Sequence, residues 1–118
     1  MNKQDHLKEI VSRLREDSVL GRFSAASISR LLPHIEAVDV ESGAQIACGG
    51  KPASKLIILL SGKLEGKTEK GQAFEFKDER AGDEAIMGLT NYEMGITAKE
   101  YSTVILIPRR QISEIIKD

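Results

Sequence analysis

From residue 37 to residue 107 the chain repeats one pattern, a short run rich in β-branched and aromatic residues followed by a break at glycine. The breaks fall at Ser42-Gly43, Gly49-Gly50 to Pro52, Ser61-Gly62, Lys70-Gly71 and Ala81-Gly82-Asp83, each a turn-forming combination. Strands are expected at residues 37–40, 45–48, 55–60, 63–68, 72–77, 84–87, 95–98 and 103–107. Short strands at this spacing imply a mainly β roll or sandwich, because each strand is too brief to bury a face without partners in two sheets. The stretch 81–98, AGDEAIMGLTNYEMGITA, stands out as the place where such a roll would interrupt its strands to build a pocket.

Helices are expected at both ends. Over residues 3–15, Leu7, Ile10, Val11 and Leu14 recur at helical spacing between charges, with Asn2 and Asp5 as a start signal. The apolar face of this helix is expected to pack on the domain's own sheet rather than on a partner helix. A second helix should begin at Ser24, with Phe23 placed to staple against Ile28, and run through Leu31 and Leu32 until Pro33. His34, just after that proline, reads as a solvated or edge residue. Pro108 closes the last strand, and residues 109–117, with Ile112, Ile115 and Ile116 on one side, fit a short helix covering an open sheet edge.

Composition narrows the function classes. The 118 residues, 41% hydrophobic and 30% charged, suit one globular core, and the formal net charge of −1 leaves no electrostatic footprint for nucleic acid or an anionic membrane surface. The longest apolar run, residues 56–60, is far short of the roughly 20 residues a membrane span needs, and the N-terminus is polar. A cytoplasmic location is expected. The single cysteine, Cys48, can form no internal disulfide and reads as a small half-buried hydrophobe; with only His6 and His34 beside it, no metal-ligand spacing exists.

No catalytic residues are assigned. Residues 62–68, GKLEGKT, resemble a phosphate-binding loop, but three residues separate the glycines where four are needed, and no helix is expected to follow. This segment is expected to be a hairpin. The histidines lie in or beside the helical region and no G-x-S-x-G elbow occurs, so a nucleophilic triad has no carrier. Asp78-Glu79 and Asp83-Glu84 are expected to be solvated turn charges.

The order of the remaining signals resembles the cyclic-nucleotide-binding domain family: a helix, Gly43-x-x-Ile46, Gly50-x-x-Ala53, the strand 55–60 running into Ser61-Gly62, then Gly82-Asp83, and Ala98-x-Glu100 leading to 104–108, VILIP. The resemblance implies an eight-stranded jelly roll of the cupin-like, double-stranded β-helix kind. Residues 18–118 would form that domain, and 1–17 an amphipathic helix connecting it to the rest of a longer protein. It also implies a regulatory role in a signalling, transport or transcription-regulating protein, with an effector domain or partner protein outside the chain and a homodimer among the arrangements it allows. No effector sequence lies within these residues, so a domain excised from a longer protein is expected.

In this family a glycine-glutamate pair opens a helical turn facing the cyclic phosphate, the glutamate accepts from the ribose hydroxyl, and an arginine pairs with the phosphate. Against that pattern the segment from Asp83 to Ala98 is shortened. Either Glu84 stands for the ribose glutamate without its glycine, or Gly88 is that glycine and Leu89 replaces the glutamate. Counting back from Ala98, Tyr92 occupies the arginine's place and is followed by Glu93. A lost charge-assisted hydrogen bond costs roughly 1.5–3 kcal/mol, or about one to two orders of magnitude in affinity. Arg80 precedes the turn and Lys99 alternates to the other face, so neither is expected to substitute.

Three readings follow, in this order. The first is a regulatory or interaction module whose pocket is filled by its own Met87, Leu89 and Tyr92. The second is a sensor of a cyclic nucleotide or a less anionic small molecule, with Gly82, Asp83, Glu84, Gly88, Leu89 and Tyr92 as the candidate ligand-binding set. The third is a small cupin-like enzyme, which the lack of a two-histidine-plus-carboxylate set in the strands argues against.

Overall fold

A computed structural model of the chain describes residues 6–76 and 80–116. Eight strands form two four-stranded antiparallel sheets: β1 (Glu36–Val40), β2 (Gln45–Ala47), β3 (Lys55–Ser61), β4 (Leu64–Lys67), β5 (Ala73–Phe76), β6 (Arg80–Ala81), β7 (Gly95–Ala98) and β8 (Ser102–Pro108). Their order is β1-β8-β3-β6 in one sheet and β2-β7-β4-β5 in the other. Consecutive strands alternate between the sheets except for the β4–β5 hairpin, and the pairs β1·β8, β2·β7, β3·β6 and β4·β5 fall in alternate sheets, the winding of a jelly roll. Residues 62–68 contain no phosphate loop: β4 pairs with β5 and β7 through Leu64↔Phe76 and Leu64↔Ala98.

The central strands β3 and β8 are buried on both faces, which is why they read as nearly continuous apolar runs. Leu56, Ile58, Leu60, Ile105 and Ile107 point to a helical layer, whereas Ile57, Leu59 and Val104 point between the sheets to meet Leu64, Ile96 and Tyr92. The helical layer consists of α1 (Leu7–Glu16), α2 (Ala25–Leu31) and α4 (Arg109–Ile116), contributing Ile10, Leu14, Ile28, Leu31, Ile112 and Ile115. The apolar face of α1 therefore packs on the domain's own sheet. So does α4, which covers a sheet face rather than the expected edge, because Ile112 and Ile115 join the cluster built on β3 and β8.

Local signals account for the helix limits. The Ser24 side chain accepts the Ser27 N–H at 3.1 Å and caps α2, with Phe23 packed against the cluster that holds Ile28. After Leu31 the chain tightens into a 3-10 turn, Leu32–His34, that contains Pro33, and His34 is exposed. The start signals Asn2 and Asp5, and the end residues Lys77 of the fifth expected strand and Lys117 of the last helix, lie outside the described residues. Cys48 is exposed rather than half-buried, since β2 ends one residue before it at Ala47.

The expected strand at 84–87 is instead a helix, α3 (Glu84–Met87). Gly82 at φ +76° turns the chain out of β6, and Gly88 at φ +79° ends the helix in the left-handed conformation. Glu84, Ala85 and Met87 are sound helix formers, and two glycine breaks leave them one turn to occupy. The strand preceding this helix, β6, has two described residues, Arg80 and Ala81, which pair with Ile58 and Ile57.

Candidate functional site

The loop from Gly82 to Met94 joins β6 to β7 and is tied down along its whole length. At its start Gly82 is buried, and a Cβ there would stand 3.1 Å from the Lys55 carbonyl oxygen and 3.3 Å from the Tyr92 ring. Only glycine serves at this crossing, given its positive φ as well. Beyond α3 the Gly88 N–H returns to the Glu84 carbonyl, and the Leu89 N–H reaches the same oxygen at 3.1 Å. Residues 90–92 then run antiparallel to residues 50–53. The Ala53 N–H donates to the Thr90 carbonyl, the Gly50 N–H to the Tyr92 carbonyl and the Tyr92 N–H to the Lys51 carbonyl, each at 2.9 Å.

Two side chains close the loop on itself. Glu84 is 7% exposed, and its Oε2 accepts the Glu93 N–H at 2.6 Å, so it is neither solvated nor directed to the cavity. Tyr92, also 7% exposed, sits among Ala53, Ile57, Ala81 and Ile96 in the layer between the sheets. Its hydroxyl donates to the Lys55 carbonyl at 2.7 Å and accepts the Lys55 N–H at 3.1 Å. Because the Arg109 N–H bonds the Ser54 carbonyl, Lys55 and Pro108 are a non-hydrogen-bonded pair and both polar groups of Lys55 point away from β8, to the side where pairing with β6 ends at Ala81; there the tyrosine hydroxyl serves them.

Asp83 turns the other way. Its carboxylate takes two hydrogen bonds from Arg80, at 2.7 and 3.1 Å, and Arg80 also donates to Asp17 Oδ2 at 2.6 Å. The hydrogen bond to Asp83 raises the Arg80 pKa above the ordinary arginine range; burial opposes this, and the charges of Asp83 and Asp17 reinforce it. The group therefore keeps its charge. Both members of the Asp83-Glu84 pair are thus engaged by partners: Glu84 is buried, contrary to the solvated turn expected of it, Asp83 keeps a partly exposed carboxylate, and Asp78-Glu79 lie outside the described residues.

Beside this loop opens a cavity of about 560 Å³, walled by Gly49 and Gly50, by Lys67 at the end of β4 with Thr68 and Glu69 beyond it, and by residues 92–95. Of the sequence-derived candidates only Tyr92 lines it. Gly82, Asp83, Glu84, Gly88 and Leu89 shape the loop behind it. Met87, expected as a pocket filler, is 69% exposed, and Leu89 is half-buried outside the cavity wall. The charged residues of the wall are Lys67, Glu69 and Glu93, so its formal charge is −1 and no guanidinium faces it. Arg80 is held by Asp17 and Asp83, and Lys99 lies 3.6 Å from Glu75. Thr68, Glu69 and the Gly49-Gly50 turn were missed as wall residues; only their place at the ends of strands flanking the loop could have signalled them.

Among the described residues no group of three or more histidine, cysteine, aspartate or glutamate side chains is placed to hold a metal ion, and no helix is long and apolar enough to cross a membrane. No family model and no curated protein matches the chain. Its structure is nevertheless close to several solved ones. The sensor domain of the transcriptional regulator DNR from Pseudomonas aeruginosa superposes with a TM-score of 0.82 at 17% identity, over 91% of this chain and 80% of that one. The cAMP-bound PfPKA-R superposes at 0.86 with 19% identity, over 100% of this chain and 44% of that one. A guanosine-bound regulatory subunit of a cAMP-independent protein kinase A from Trypanosoma cruzi gives 0.78 at 15% identity, over 97% of this chain and 42% of that one. The chain thus spans less than half the length of the two kinase subunits. In its two sheets, their winding and the flanking helices, it has the jelly-roll fold of cyclic-nucleotide-binding domains that its sequence resembles.

Proposed function

We propose that this chain is a non-catalytic regulatory domain of the cyclic-nucleotide-binding type in which the loop is completed by its own side chains and ordinary cyclic-nucleotide recognition is lost. It would serve a larger signalling, transport or transcription-regulating protein, through an effector domain or partner protein. The observation that carries this reading is the Glu84 carboxylate, the group available to a ribose hydroxyl, bonded instead to the Glu93 N–H. The cavity supports it, since a cyclic phosphate placed there would meet Glu69 and Glu93 with Lys67 as the only opposing charge among the described residues of the wall. Titration with cyclic AMP and cyclic GMP, followed by thermal shift and calorimetry, is expected to give no saturable stabilisation at micromolar concentrations. A saturable rise in melting temperature there would overturn the reading.

A second reading is favoured by the cavity itself. It is a sensor of a ligand without phosphate, held against Tyr92 and the Gly49-Gly50 backbone. The guanosine-bound neighbour gives the precedent of a phosphate-free nucleoside bound to a protein that contains a domain of this fold. The same titration with guanosine and adenosine distinguishes this reading from the first.

A further inference from the structure

Arginines grip the loop from behind at its start and near its middle, away from the cavity. At the opening, Arg80 bridges Asp83 to Asp17, and the same Asp17 oxygen accepts the N–H groups of Val19 and Leu20 at 2.9 Å each, fixing the corner that leads out of α1. The Arg80 and Asp17 side chains are only 14% and 10% exposed, so this bridge is shielded from solvent screening in a way surface pairs are not. Asp83 meanwhile supplies the carbonyl that accepts from the Ile86 and Met87 N–H groups, so whatever fixes Asp83 fixes the first turn of α3. Just after α3, Arg109, the first residue of α4, donates through Nη1 to the Leu89 carbonyl, and its own N–H donates to the Ser54 carbonyl at 2.8 Å.

We propose that these contacts are a ligand-independent lock: Arg80 with Asp17 and Asp83, and Arg109 with Leu89, hold the 82–93 loop in register with α1 and α4 in the absence of any ligand. The inference deepens the reading of the domain as one whose loop is completed from within, and rests on it. The lock ties a loop that rests on the inter-sheet layer to the helical layer as well. Its chemical signature is linkage between positions far apart in sequence, since Asp17 and Asp83 share no element and meet only through one guanidinium.

Amide hydrogen exchange on the full chain, with no ligand present, tests this. Asp83→Asn is expected to raise exchange at Val19 and Leu20 by about threefold or more, and Asp17→Asn to raise it reciprocally at Ile86 and Met87. Amides of β3 and β8 report global opening and should stay within the wild-type range. Arg109→Met should raise exchange at residues 89–92 and in α4 while leaving Val19 and Leu20 unchanged. Unchanged exchange at the remote position in both aspartate variants overturns the lock, as does a rise matched by β3 and β8. If one aspartate variant does not fold, the other decides the matter alone, since the linkage is reciprocal. Because no nucleotide enters the experiment, its failure is separate from a positive nucleotide titration, which would instead defeat the proposed function.

Discussion

Tyr92 shows how one side chain can line a cavity and stabilise the scaffold at once. Its ring is buried between the sheets, with its hydroxyl on both polar groups of Lys55. Tyr92→Phe keeps the ring and deletes both hydrogen bonds, leaving the Lys55 carbonyl without a donor. It is expected to lower the unfolding free energy by about 1–3 kcal/mol, measured by chemical denaturation. A change within a few tenths of a kcal/mol would mean that water replaces the hydroxyl. The sequence placed Tyr92 at the site by spacing from Ala98, but not its hydrogen bonds, since Lys55 lies 37 positions away. Arg80 shows the same limit: its pairing with Asp83 is local, while its pairing with Asp17 spans 63 positions. Sequence reading could set Arg80 apart from the pocket but could not supply its partners.

At the scale of elements, legibility followed the length and the punctuation of each segment. The cap of α2 was readable because Ser24 precedes a helical period, and the long strands because β3 and β8 are apolar on both faces. Helix α3 was not, since four residues of mixed apolar character satisfy a strand and a helical turn equally. What decides is the pair of positive-φ glycines around it, and a glycine does not announce its φ. Gly88 provides the measurable case. A Cβ there would meet nothing within 4 Å, so Gly88→Ala isolates the cost of the left-handed conformation from any clash. The expected loss is about 1 kcal/mol, read from the denaturation midpoint, with exchange rising at Leu89 as the C-terminal cap weakens. A neutral result would show that α3 ends without needing the left-handed residue.

Across the whole molecule, a single sheet serves two cores. Alternation along β3 sends Leu56, Ile58 and Leu60 to the helical layer and Ile57 and Leu59 to the layer between the sheets. The loop rests on the second layer through Tyr92 and is bridged to the first through Arg80 and Arg109, so neither layer should melt alone. Ile58→Ala and Leu59→Ala test this, as adjacent residues that are 3% and 0% exposed on opposite faces. Each is expected to cost about 2–5 kcal/mol through lost burial and the cavity left behind. Both should shift one common transition, followed by far-UV circular dichroism for the helices and by tyrosine fluorescence, with Tyr92 reporting on the inter-sheet layer. If Ile58→Ala lowered the helical transition while the tyrosine signal held at its wild-type midpoint, the two layers would be separate folding units. The loop would then be joined to the helices by proximity alone.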